Sequence, residues 1–382
     1  MASRKISAKN SGSVRQRADG RWEARATICG KRRSFYGEKQ SDALKAMRAA
    51  LKASDDGTFF EPSRATVGEW FDTWSNEYAV QKLKPLSLSV YRNRIDTHIA
   101  PTLGKLKLSE LNPTHIQTLY NNLTYKEGLA PNTVKGIHNV LHKALSQAVK
   151  LRYIPYNPSD ACELPRAHKR DIKPLTEAEI TAFLTEIENG ERMRDLFTVA
   201  LFTGMREGEI CGLSWDGVNF RKGTITVKQQ LQRGRKKGSG HFIATTKNEK
   251  TRVITAAPFV MDTLKAVYNQ QGRDRLSAGL AWSNQWDLVF TDELGNFTSP
   301  QTVLRRFKAI CSRIGRSDAR FHDLRHTFAV VSLQEGDGIK TLQQNLGHAT
   351  AAFTLDVYGH VSQQMNEDSA RRMENFISKI QA

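Results

Sequence analysis

The apolar positions along this chain change period from block to block. From Gly12 to Gly37, "GSVRQRADGRWEARATICGKRRSFYG" alternates apolar or aromatic residues with basic and polar ones. Alternation at period two predicts strands, and Asp19-Gly20 and Cys29-Gly30 predict the turns between them, so a three-stranded antiparallel sheet is expected. "EKQSDALKAMRAALKA" then places Ala, Leu and Met on one helical face. "SDDGTFFEPSR" breaks the pattern and reads as a linker, which closes a small α+β block at residues 1–64.

Residues 65–165 carry only helical periods. "TVGEW" is a capping-box start, with Thr66 and Glu69 at the right offset. "SLSVYRNRIDTHIAPTLG" follows Pro85 and ends at a Pro/Gly break. "NPTHIQTLYNNL" offers Asn112 as N-cap and Pro113 at the first helical position. "PNTVKGIHNVLHKALSQAVK" is a long helix with Val134, Ile137, Val140, Leu141, Leu145 and Val149 on one face. Four such helices predict an all-α bundle. The four prolines between Tyr153 and Pro174 mark an interdomain linker, bounded here as 166–173.

A mainly helical α+β block is expected over 174–382. It opens at "PLTEAEITAFLTEIE", capped by Thr176 and Glu179. "RDLFTVALFTGMREGEICGLSWDGV" reads as a buried helix, a glycine break and a second helix. "GTITVKQQ", "HFIATT", "TRVITA" and "DLVFT" read as strands of a small sheet on one edge, and helices dominate from Ser299 on.

Charge adds a partner to this picture. The chain has a net charge of +18, and Met1–Ala53 alone carries 14 Lys/Arg against 4 Asp/Glu. Such a bias favours a polyanion, with nucleic acid first among the candidates. A sheet that is basic on its open face could read a DNA groove, with Arg15, Arg17, Arg21, Arg25, Lys31, Arg32 and Arg33 as contacts. Lys82, Lys84, Arg92, Arg94 and Lys135 supply positive charge in the helical block. A solvated basic surface is the alternative in both places. Cys29, Cys162, Cys211 and Cys311 are far apart and form no CxxC pair, which fits reduced thiols in a cytosol. No segment has the length and apolarity of a membrane span, so a soluble, cytoplasmic protein is expected.

Four places in the third block put polar groups where a plain core would not. Arg206 and Glu209 sit in "TGMREGEI", Lys247 in "TTKNEKTRVI", and His322 and Arg325 in "FHDLRHTFA". His348 and Tyr358 lie in "LGHATAAFTLDVYGH". "HDLRH" approaches the zinc-protease pattern, but its acid is the shorter Asp323, Arg325 would oppose a metal ion, and no third ligand is evident. His326 reads as structural. Phosphodiester transesterification without a metal asks for two arginines on the non-bridging oxygens, histidines that stabilise growing charge, a lysine to protonate the leaving oxygen and a hydroxyl to attack. Arg206, Arg325, His322, His348, Lys247 and Tyr358 meet that list. No cofactor or metal is needed.

These motifs, in this order and spacing from Pro174 to Tyr358, resemble the active-site boxes of the tyrosine recombinases, the phage-integrase family. The resemblance implies a tyrosine recombinase fold for the catalytic block, with Arg206 and Arg325 binding phosphate and His322 assisting them. It implies Lys247 as general acid, His348 as second histidine, Tyr358 as the nucleophile that forms a 3′-phosphotyrosine, and Glu209 as a supporting acid. The helical block resembles the family's core-binding, SAM-like domain. The N-terminal sheet is similar to the arm-binding domain of integrases from phages and conjugative transposons. The implied activity is site-specific recombination through a Holliday junction by a homo-tetramer on double-stranded DNA, with excision or DNA-bending proteins as accessory partners. A type IB topoisomerase and an inactive DNA-binding regulator are the alternatives. Beyond Tyr358, Met373, Phe376, Ile377 and Ile380 fall at i, i+3, i+4 and i+7, a helical stripe expected to pack on its own domain or on a neighbouring protomer.

Overall fold

A computed structural model describes residues 12–56, 64–167, 172–234, 240–246, 251–347 and, apart from 372 and 375, 370–380. The chain divides into two compact units, residues 1–168 and 169–382.

The first unit begins with the expected sheet, β1 (Ser13–Gln16), β2 (Trp22–Ile28) and β3 (Lys31–Gly37), antiparallel in the order β1-β2-β3. Cys29 and Gly30, both at positive φ (47° and 76°), make the two-residue turn that matches strand twist between β2 and β3. Helix α1 (Gln40–Asp55) covers one face, where Ala24, Ala26 and Ile28 meet Ala43 and Met47 in a small core. The other face carries the alternate side chains of each strand.

The helical part starts with α2 (Val67–Thr73), whose Thr66–Glu69 capping box forms as the spacing predicts. Then come α3 (Val80–Lys82), α4 (Pro85–Arg94), α5 (Ala100–Leu103), α6 (Pro113–Asn121, capped by Asn112) and α7 (Pro131–Lys150). The expected helix through 87–104 is one continuous path, with a π-helical turn at Ile95–Ile99 joining α4 to α5. The apolar face of α7 is buried along its length, although Val149 packs only at its edge. Arg94 is a structural residue here: its Nη1 donates to the Gly136 carbonyl at 3.0 Å and joins α4 to α7. The proline-rich stretch is docked as far as Leu164, with Asn157 Nδ2 donating to the His142 carbonyl and Ser146 Oγ.

The second unit builds its core from α8 (Glu177–Glu188), α9 (Arg194–Thr203), α10 (Glu207–Cys211), α11 (Pro258–Ala278), α12 (Pro300–Arg313) and α13 (Phe321–Gln334). Helix α14 (Ile339–Leu346) packs on α13 in a smaller cluster. The expected single sheet is two: β4 (Val218–Asn219), β5 (Thr224–Val227) and β8 (Arg252–Thr255) form one, while β6 (Gln229–Arg233) and β7 (His241–Thr245) form a hairpin of their own. "GTITVKQQ" therefore contributes to both. "DLVFT" is not a continuous strand and makes only isolated antiparallel bridges, Leu288 with Ser214 and Thr291 with Phe297. Gln271 on α11 donates its side-chain amide to the Leu288 and Val289 carbonyls, taking the acceptors that a partner strand would need. In the helical 370–380 segment Met373, Phe376, Ile377 and Ile380 stand exposed. Among the described residues no helix is long and apolar enough to cross a membrane.

Candidate active site and basic sheet face

Three of the catalytic candidates, Arg206, Arg325 and His322, gather around one turn. Helix α9 is buried nearly all round and stops at Gly204, which takes φ 62° because a left-handed residue turns the chain sharply out of a helix. A side chain there would also collide with Phe328, 2.6 Å away. Two residues on, Arg206 is the N-cap of α10. Its backbone N–H and its Nη1 both donate to Glu209, at 2.9 and 2.7 Å. This leaves Nε and Nη2 of a half-exposed guanidinium without a hydrogen bond among the described residues.

Arg325 reaches the same turn from α13. Its side chain is 2% exposed; Nη1 donates to the Gly204 carbonyl at 2.8 Å, and Nη2 to the Leu346 carbonyl at the end of α14. One buried guanidinium thus pins two chain reversals. Asp323 caps α13 by accepting from the Arg320 backbone N–H and side chain, each at 2.8 Å, so the acid of "HDLRH" serves the helix start.

His322, one residue into α13, packs its ring edge-on to His326 at 4.8 Å and keeps one side open to solvent. Protein packed around its inner edge, followed by His326 and the Arg325, Arg206 and Arg320 guanidinium groups, presses its pKa from 6.5 to about 4. Four positive or ionisable neighbours point the same way, so His322 is neutral near pH 7.

Glu209 is the buried anion that balances this cationic corner. Burial alone would raise its carboxyl; two hydrogen bonds from Arg252, that group's charge and the Arg206 contacts overcome it and hold the pKa at about 2. Arg252 was not singled out from the sequence. The available signal was strand phase: Arg252 shares the inward side of β8 with buried Ile254, while Val253 between them is exposed. An arginine at an inward position implies a buried acid. Its Nε also donates to the Asn345 carbonyl at 2.8 Å, joining β8 to α14. Lys247, His348 and Tyr358 lie outside the described residues.

The candidate DNA contacts separate into groups. On the open face of the N-terminal sheet, Arg15 faces Glu23 across β1 and β2, Arg25 follows two residues on, and Arg32 pairs with Thr27. Arg17 lies 5.4 Å over the Tyr36 ring of that face. Arg21 instead ties back to Asp19 at the turn, through Nε and Nη2. Lys31 and Arg33 belong to the other phase of β3, on the α1 side. In the helical part Lys82, Lys84, Arg92 and Lys135 are exposed, and Arg92 donates to Asn76 at 2.7 Å.

The profile of the phage integrase family matches residues 173–365, and that of the phage integrase N-terminal SAM-like domain matches 66–124. The chain belongs to the phage integrase family: it is a tyrosine recombinase, an enzyme of site-specific DNA cleavage and rejoining. A tyrosine recombinase XerC-like protein of Caldanaerobacter subterraneus subsp. tengcongensis is 28% identical over 347 residues, covering 86% of this chain and 88% of its own. The integrase of Mycobacterium phage L5 is 26% identical over 368 residues, covering 94% and 89%. Among solved structures, the Tn1549 transposon integrase in complex with transposon right end DNA superposes with a TM-score of 0.68 at 20% identity, covering 80% of this chain and 99% of that one. A lambda integrase tetramer bound to a Holliday junction gives 0.57 at 20% identity, covering 89% and 94%. Neither the topoisomerase nor the inactive regulator is favoured.

Proposed function

We propose that Arg206, Lys247, His322, Arg325, His348 and Tyr358 form the catalytic set of this recombinase. Arg206 and Arg325 bind the non-bridging oxygens of the scissile phosphate, and neutral His322 adds a hydrogen bond as charge accumulates. The Tyr358 oxygen releases its proton to solvent and attacks phosphorus, the bond to the 5′ oxygen breaks, and Lys247 gives that oxygen its proton. A 3′-phosphotyrosine remains. The 5′ hydroxyl of the partner strand then attacks it and restores the tyrosine, so the linkage retains the energy of the original bond. The observation that carries this reading is the approach of Arg325 to Gly204, which sets both arginines on one turn.

The working parts are residues 1–64 for arm-type DNA sites, 65–165 for the core site and 174–382 for catalysis and the tail, joined by 166–173. Glu209 is a supporting acid. The enzyme acts in the bacterial cytosol as a homo-tetramer on double-stranded DNA, coupled through the exposed stripe Met373, Phe376, Ile377 and Ile380. Excision or DNA-bending proteins are its accessory partners. Nicked suicide duplexes carrying the ends of the host element test the chemistry. The wild-type chain is expected to form a covalent adduct, and Tyr358→Phe none; an adduct that persists in Tyr358→Phe overturns the assignment.

A further inference from the structure

The open face of the N-terminal sheet contains a group that ordinary phosphate attraction does not explain. Glu23 sits in the middle of an arginine-rich surface, its side chain only 2% exposed. Its Oε2 accepts from Arg15 Nε at 2.8 Å, its Oε1 from Arg25 Nε at 2.9 Å, and the Tyr36 hydroxyl approaches Oε1 at 3.4 Å. Hydrogen bonds from Arg25, then Arg15 and the Ser34 side chain, overcome burial and hold the carboxyl at about 2, so it is an anion at any pH where DNA is bound.

Both arginines meet Glu23 through Nε. Their Nη1 and Nη2 atoms make no hydrogen bond or ion pair among the described residues, so each guanidinium is fixed at its inner edge and presents its outer fork. A surface designed only to hold phosphates gains nothing from a central negative charge, which weakens a contact governed by charge count. A surface that reads base edges gains a great deal. Guanine O6 and N7 are recognised by a planar, bidentate arginine fork, and that geometry is lost if the stem is free to swing. Arg15 and Arg25 are diagonal neighbours on β1 and β2, with Ser13 opposite Arg25 and Arg15 opposite Glu23. Diagonal pairs of this kind stand about 7 Å apart, within reach of nearby base pairs in one groove.

We propose that Glu23 is a positioning residue that aims the Arg15 and Arg25 forks at guanine edges in the major groove of a duplex, setting sequence specificity at the site this sheet binds. The proposal rests on the reading of residues 1–64 as a DNA-binding part. Arg17, Arg32 and Tyr36 flank the pair and supply contacts that carry no sequence information.

The sign of a single substitution separates aim from charge. Full-length wild-type chain is used to select duplexes from a randomised library, and motifs lost with Arg15→Ala/Arg25→Ala are assigned to the sheet. The selected duplex and a scrambled duplex of equal composition are then titrated with wild type and Glu23→Gln at several salt concentrations. Glu23→Gln is expected to bind the selected duplex about ten-fold more weakly or worse, while binding the scrambled duplex equally well or more tightly. Equal tightening on both duplexes, or no change on either, overturns the proposal. If Glu23→Gln does not fold, Arg15→Lys replaces it. Arg15 is well exposed, and lysine keeps the charge while losing the Nε anchor and the fork. Loss of only the selected duplex then supports the proposal, and retention of both overturns it. If wild type yields no motif that depends on Arg15 and Arg25, the DNA-binding reading of the sheet fails first, and the proposal with it.

Discussion

Arg252 grips Glu209 with both terminal nitrogens, Nη1 on Oε1 at 2.9 Å and Nη2 on Oε2 at 2.6 Å. The same carboxylate accepts from Arg206, so two arginines share one buried anion. Arg252 neutralises Glu209 well enough for Arg206 to spend only one side-chain donor on it.

Removing one partner of a buried pair leaves a desolvated charge, which typically costs about 3 kcal/mol or more. Arg252→Met is expected to destabilise the catalytic unit by that order in urea unfolding and to reduce adduct formation by drawing Arg206 inward. Arg252→Met/Glu209→Gln should recover part of the stability, because no lone ion remains. A double variant no more stable than Arg252→Met would show that the pair is not the source of the loss.

The acid limb of the stability profile follows from Glu209. Its folded pKa, about 2, lies below the usual 4.5. Its contribution is therefore complete above pH 4.5 and is lost as pH falls toward 2. Unfolding followed from pH 6 to 2 should show a shallower acid decline for Glu209→Gln than for wild type, starting from a lower plateau.

His322 and His326 act over a higher window. Both are held near 4 against 6.5 unfolded, His326 chiefly by burial with Asp323 opposing. The unfolded chain takes up their protons first, so their contribution is full above pH 6.5 and is lost as pH falls through 4. Imidazole resonances of the free protein should titrate near 4. Phosphate binding at the site is expected to raise the His322 midpoint, since an anion favours the imidazolium.

Gly347 ends α14 at φ 65°, and a Cβ there would lie 2.9 Å from Arg252 Cδ. Gly347→Ala is expected to cost about 1–2 kcal/mol from the left-handed backbone alone, with further loss from displacing Arg252. Thermal unfolding of the variant measures this.

Arg325→Lys preserves charge but cannot serve two carbonyls from one rigid fork. With Gly204 and Leu346 losing their shared donor, adduct formation should drop by about 100-fold or more, while affinity for duplex DNA changes little. A rate within about ten-fold of wild type would argue against the placement.

The sequence by itself determined the caps, the N-terminal sheet and the family to which the chain belongs. The capping boxes at Thr66 and Thr176, the Asn112 cap and the alternation of β1–β3 are signals carried by a few adjacent residues, and all appear where the spacing put them. Arg206, His322 and Arg325 were legible as members of one ordered set of motifs. Tertiary structure decided what depended on distant partners. "DLVFT" has the composition of a strand, yet Gln271, a helix residue, takes its acceptors. Arg252 is one more cation in a basic chain until folding lays β8 beside Glu209 and α14. Glu23 likewise looks like a stray acid among arginines, and only strand register brings Arg15 across to it. Propensity and capping are short-range and survive in a string of letters, whereas the pairing of buried charges exists only once the chain has closed around them.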